Sequence, residues 1–297
     1  MTDISNTTRR LNLIEKYISR MPSLSTTVTK VLEICNSPNA SPNDLNRVIC
    51  LDPVLTGKVL KLINSAYYSL VDQVTSVTRG IILLGINTVK NLVISTAVLE
   101  TAKGNRGHFQ ALSMDDFWAH SICVGVTAKS LAQIKNLPPA LREEYFLAGL
   151  LHDLGKIPLN NRFPKEYGQA LQLAREKDAP LRWAEDMTFG IDHCVVGRMI
   201  AEKWNLSGAL HDSICHHHSP EEARDENRQL IAVVALADSY AIAFEAGTPD
   251  EFVSREPNLQ NIHEQAGLSL SAFSGLDKEV LEEMEKARVF LQIAKKG

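Results

Sequence analysis

The chain has 297 residues, 44% of them hydrophobic and 22% charged, with a formal net charge of -4. Those values fit a globular chain long enough for a sizeable core, built as one large domain or two smaller ones. Lys and Arg are dispersed, which excludes an extended nucleic-acid footprint, and no stretch approaches the roughly 20 apolar residues of a membrane helix.

Helical periodicity dominates the chain, so the expected class is all-α. Strand-like alternation is confined to Val71–Val77. Met1–Asn6 shows no apolar signal core, and the five cysteines are odd in number with no CxxC pair, as in reduced thiols, so a cytoplasmic location is expected. Pro22 is expected to start a helix through Val28, Val31 and Leu32 that stops at the turn residues Asn36–Asn39. Ser41 or Pro42 opens the next, through Leu45, Val48 and Ile49. Asp52–Pro53 begins another, with Pro near its first position, running over Val54–Ile63. Ile81–Leu84 reads as a short helix, and Asn87 as the cap of Val89–Leu99, closed by Gly104.

Polar Lys103–Gln110, with two glycines, then separates two helical halves. Ser113 with Asp116 three residues on forms a capping pattern for a helix to Ile134, and helical character continues to about Ala246. A polar segment, Gly247–Gly267, precedes an amphipathic helix over Lys278–Ala294. The expected division is an N-terminal helical part (1–105), a second helical part (106–246) and a C-terminal extension (247–297).

The second part holds an unusual set of donors. Leu150-Leu151-His152-Asp153-Leu154-Gly155-Lys156 sets a His-Asp pair at the end of an apolar run, where an unpartnered Asp is costly. His120 shares a helix face with Cys123, Val124 and Thr127; His193 opens a helix whose stripe continues through Gly197, Ile200 and Trp204. Leu210 and Ile214 define an inward face that extends to His217 and His218 but leaves His216 aside. Asp238 sits among Leu230, Val234, Ala237 and Ala241. Each alone has an ordinary explanation: a hydrogen-bonded core histidine, an Asp paired with an Arg, a solvated helix end, a helix stop. Together, five His and two Asp suit Fe, Mn, Zn or Ni, and their number suggests two ions. His211-Asp212 reads as a chance second pair, Cys123 as a packed thiol, and His108 and His263 as solvated loop residues. Asn64, Tyr67 and Tyr68 fit a recognition patch or helix-end packing equally.

These residues resemble a known arrangement. His120, His152-Asp153 and Asp238 resemble the HD metal-dependent phosphohydrolase superfamily, and His193 with the pair His217-His218 resembles its HD-GYP branch, which cleaves cyclic diguanylate. The chain to about Phe244 is most similar to the HDOD family, through Met21-Pro22-Ser23-Leu24, Asp52-Pro53-Val54-Leu55, Asn64–Tyr68, Leu84-Gly85 and Ala201–Leu206. Many HDOD proteins have lost the metal ligands; this chain keeps every one. It lacks the Gly-Tyr-Pro loop, having Ser219-Pro220-Glu221-Glu222-Ala223 instead.

The resemblance implies one or two divalent ions, Fe or Mn favoured with Zn or Ni alternatives. His120, His152 and Asp238 would hold one, His193, His217 and His218 the other, with Asp153 as the bridge. Lys156 would balance charge on a phosphoryl oxygen, or act only as a helix-terminal cation. Two functions follow: hydrolysis of a phosphate ester or nucleotide phosphodiester, or a non-catalytic bacterial signalling module whose N-terminal half binds a partner protein.

Overall fold

The computed structural model describes residues 4–35, 37, 40–101, 111–245 and 259–295. Among them every regular element is a helix. The first half runs α1 (Ile4–Arg20), α2 (Thr26–Cys35), α3 (Pro42–Ile49), α4 (Pro53–Ile63), α5 (Val77–Leu84) and α6 (Ile86–Thr101). The second runs α7 (Met114–Ile134), α8 (Pro139–Leu151), α9 (Lys156–Arg162), α10 (Pro164–Lys177), α11 (Leu181–Phe189), α12 (His193–Lys203), α13 (Gly208–His216) and α14 (Asp225–Glu245). Two further helices, α15 (Leu259–Ala266) and α16 (Leu276–Lys295), follow.

Several boundaries differ from the sequence expectation. Pro22 does not start the first helix: α1 precedes it, and the chain is unwound over residues 22–25. Proline disfavours helical backbone in the residue before it, so α1 ends there; Ser25 then accepts from the Val28 amide at 3.3 Å as α2 begins. Asn87 lies inside α6 rather than capping it. Gly85, at φ +88°, ends α5 and turns the chain by 120°, so α6 starts at once. Val71–Val77 forms no strand. The polar segment before the last helix contains α15, whose Ile262, His263 and Ala266 are buried, so His263 is no solvated loop residue. His108, Gly104 and the boundary Lys103–Gln110 lie outside the described residues. No single helix among the described residues is long and apolar enough to cross a membrane.

One continuous core extends from Ile14 to Phe290 and draws on both halves. At its centre α7 and α8 form a hairpin that crosses backbone to backbone: a Cβ on Gly149 would meet the Gly125 Cα at 2.8 Å. Besides the packing of α6 on α8, polar contacts fasten the N-terminal half to the second half. Behind the turn after α4, Tyr67 packs on Phe146 and Phe290, while the Tyr68 hydroxyl donates to Glu143 on α8 at 3.1 Å. Glu143 also pairs with Lys129 of α7 at 2.6 Å. Asn64 bonds both backbone groups of Val74, so this motif is explained by packing. Elsewhere, Lys203 at the end of α12 donates to the carbonyls of Ile18 and Ser19 at 2.7 and 2.8 Å, and the Trp204 indole donates to Pro22 at 3.2 Å.

Candidate metal centre

Five elements bring the expected donors together. Ser113 caps α7 through the Asp116 amide, and α7 carries His120. The helix α8 ends at Leu151, so His152 and Asp153 stand in the tight turn that leads into α9, which begins with Lys156. Asp192 caps α12 by accepting from the Val195 amide at 2.9 Å, which sets His193 as its first residue. His217 is the residue that closes α13, and α14 presents Asp238. The turn and α12 meet backbone to backbone: a Cβ on Gly155 would lie 1.8 Å from the His193 carbonyl oxygen.

Asp153 is 1% exposed and its two oxygens face different neighbours. Its Oδ2 lies 3.2 Å from His152 Nε2 and 3.8 Å from His120 Nε2. Its Oδ1 lies 3.4 Å from His193 Nε2 and 3.6 Å from His217 Nε2. Asp238 Oδ1 joins the first group, 3.0 Å from His120 Nε2 and 3.6 Å from His152 Nε2. In the second group the Nε2 atoms of His217 and His218 each lie 3.2 Å from that of His193. Two groups could therefore hold a metal ion: His120 with His152 and Asp153, and His193 with Cys194, His217 and His218. His216 is outside both, its Nδ1 3.6 Å from Glu222.

The outward nitrogens are spoken for. His120 Nδ1 bonds Glu245 at 3.0 Å, His152 Nδ1 the Gly149 carbonyl at 2.6 Å, His193 Nδ1 Glu185 at 2.5 Å, and His217 Nδ1 the Ser213 carbonyl at 2.8 Å. With Nδ1 donating and the Nε2 proton displaced, each ring would turn a lone pair inward, the form in which imidazole ligates metals. His152 Nε2 and Asp153 Oδ1 are buried without a hydrogen-bond partner, an arrangement that a cation between the groups would relieve. The donor set fits a divalent transition ion.

Charge within the cluster follows from the same contacts. Burial opposes ionisation of Asp153 and Asp238, but His152 and Lys156 beside Asp153, and His120 and His152 beside Asp238, hold both carboxyls well below the usual range. Burial likewise opposes a charged His120, yet Asp238 and Glu245 raise its pKa to about 10. His217 goes the other way: burial and the neighbouring His218 and His152 rings lower it. Lys156 forms an ion pair with Asp153 Oδ2. Cys123 stays a packed thiol, pushed up to about 12 by burial.

Sequence reasoning missed four residues here. Glu245 lies two turns after Asp238 on one helix face, a spacing that could have revealed it. Cys194 directly follows His193. Fully buried Glu185 and half-exposed Arg182 come from α11, only nine residues long, which gives no periodic signal. Arg182 lies 3.3 Å from Asp192 and donates to Ser219 at 3.0 Å, beside His193 and His218 respectively. His211-Asp212 stays apart from the cluster; Asp212 is buried and bound by Arg224 at 2.9 Å and Asn227 at 2.8 Å. A cleft of about 600 Å³, lined by Lys16, Tyr17, Arg20, Ile157 and Arg162 among others, lies against α9 and includes none of the donors.

Residues 21–220 match the model of the HDOD domain. The chain belongs to the HDOD family. An HDOD domain protein of unknown function from Geobacter sulfurreducens is 26% identical and superposes with a TM-score of 0.71, covering 95% of this chain and 97% of that one. A Shewanella amazonensis SB2B protein, provisionally named a phosphohydrolase, shares the HDOD fold at 24% identity and a TM-score of 0.68, covering 93% and 97%. Ribonuclease Y of Mycoplasma mycoides is 28% identical over 182 residues, 60% of this chain and 35% of that protein. The chain spans about half the length of the curated relatives it matches, or less.

Proposed function

We propose that this HDOD protein binds a divalent, binuclear metal centre through His120, His152, Asp153, Asp238, His193, His217 and His218, and uses it to hydrolyse a phosphate ester or phosphodiester in signal transduction. The observation that carries the reading is Asp153, whose two oxygens face two separate sets of inward-turned imidazole nitrogens. Fe or Mn are the favoured ions, with Zn and Ni as alternatives. Bound there, they supply charge for a phosphoryl oxygen and lower the pKa of water. The names of the Shewanella protein and of ribonuclease Y support the reaction class.

The chain's own residues then have separable tasks. His120, His218, Asp238 and Lys156 form the less buried side of the cluster, where substrate enters. Glu185, Glu245 and the carbonyls of Gly149 and Ser213 orient the rings. Lys156, held against Asp153, offers its ammonium to the phosphoryl group. At the rim, exposed Glu221 and Glu222 face no compensating Arg224, which is committed to Asp212. Small, singly charged phosphodiesters are therefore better substrates than dianionic cyclic diguanylate.

The alternative is a non-catalytic signalling module in which the centre is structural or ligand-sensing and a protein partner docks on the N-terminal half. It is favoured by the fastening of α12 to Ile18, Ser19 and Pro22. Metal content and anomalous scattering on protein purified without chelator test the centre. Steady-state assays on bis(p-nitrophenyl) phosphate and cyclic diguanylate, with Asp153→Ala as control, separate enzyme from module. Absence of turnover in fully metal-loaded protein selects the module.

A further inference from the structure

Cys194 stands in the first turn of α12, 6% exposed, directly after His193. Its sulphur and one nitrogen each of His193, His217 and His218 all lie within 4.8 Å of one another. An independent feature points into the same space: Asp153 Oδ1, buried with no hydrogen-bond partner, lies 3.4 Å from His193 Nε2 and 3.6 Å from His217 Nε2. The other two buried thiols, Cys123 and Cys215, belong to neither donor group.

We infer that Cys194 is a further protein ligand of the ion held by His193, His217, His218 and Asp153 Oδ1, so that the two halves of the centre differ in kind. This rests on the metal-binding reading proposed above. With the Asp153 oxygen, three imidazoles and a thiolate make five donors, as many as zinc accepts, with no position left for substrate. On coordination the Sγ–H bond breaks, its proton leaves to solvent, and the sulphur lone pair forms the metal–sulphur bond. A thiolate favours Zn over Mn, whereas the set of His120, His152, Asp153 and Asp238 offers only nitrogen and oxygen and accepts Fe or Mn. The Cys-His half is then closed by its own ligands. The open, substrate-facing position falls to the half that contains His120.

Cobalt reads this directly. Titrating Co(II) into chelator-stripped protein should produce a thiolate-to-cobalt charge-transfer band in the near ultraviolet. Cys194→Ser should lose the band and bind zinc at that half at least tenfold more weakly while still taking the other ion; Cys123→Ser should keep the band. Zinc X-ray absorption on the unaltered protein, which needs no variant to fold, should show one sulphur at about 2.3 Å with nitrogens at about 2.0 Å. A shell of nitrogen and oxygen alone, or a band that survives Cys194→Ser, overturns the thiolate ligand and leaves the histidine centre standing. Protein that takes up no metal at all overturns both.

Discussion

Asp153 lends one oxygen to each group of imidazoles, so changing it acts on both. Wild-type protein with an ion at 100 times its dissociation constant gains about 2.7 kcal/mol of stability by linkage. Asp153→Asn should bind neither ion tightly and show almost no thermal shift when metal is added. A full shift in that variant would show that the histidines alone suffice. The neighbouring pair His217 and His216 gives a sharper contrast, since only His217 turns its Nε2 inward. His217→Gln should lower metal content, and His216→Gln should leave it near wild type by elemental analysis. These placements were legible from helical spacing, because His193, His217 and His218 continue apolar stripes. Glu185 and Arg182 were not, because a contact between non-neighbouring short elements leaves no periodic trace.

A second residue pair adds to the acid dependence of the fold. Burial would raise the Asp212 carboxyl, but Arg224 and Asn227 hold it down at about 2 against an ordinary 3.8. A depressed native pKa contributes stability that is present above the unfolded value and lost as pH falls through the folded one. The contribution should therefore fade between about pH 4 and 2, and Arg224→Gln should remove about 1–2 kcal/mol of it at pH 5. Denaturant titrations from pH 5 to 2 give the two curves, which should converge at the acid end.

Between elements, distances are set by backbone contact rather than by side chains. The turn carrying His152 and Asp153 lies on α12 so closely that a Gly155 Cβ would overlap the His193 carbonyl, with Gly197 N at 2.6 Å. Gly155→Ala must push α12 away and should lose 2 kcal/mol or more together with metal at the His193 group. Gly57→Ala, on an exposed face of α4 with nothing within 4 Å, is the matched control and should gain about 0.5–1 kcal/mol. Equal effects at the two positions would remove the argument. The existence of most helices could be read from apolar spacing and caps such as Ser41, Asp52 and Ser113. Their starts went wrong where a single local event decided, as at Pro22 and at Gly85. α1 was legible in Leu11, Ile14 and Ile18, which share a helix face, and was overlooked; α15 has only eight residues, too few for its spacing to stand out.

In the whole molecule the two expected halves share one core, and Glu143 of the second half stitches them by accepting from Tyr68 of the first while it pairs with Lys129. Lys129 and Tyr68 both satisfy Glu143, which is 6% exposed. Lys129→Met leaves that carboxylate uncompensated and should cost about 3–5 kcal/mol. Calorimetry should show one cooperative transition that moves down as a unit; two transitions, only one of which shifts, would mean that the halves unfold independently.

The attachment of α12 gives this shared core a direction. The helix is eleven residues, about 16 Å, with His193 at one end and Lys203 gripping the last carbonyls of α1 at the other. It is a strut, and a strut transmits load both ways. An ion that draws His193 inward pulls on α1, and a grip on α1 that tilts α12 must alter the ion's affinity by the same factor in return. Metal loading should accordingly slow amide exchange in the last turn of α1. Lys203→Met should erase that slowing while the ion stays bound, leaving two halves that no longer feel one another's ligands.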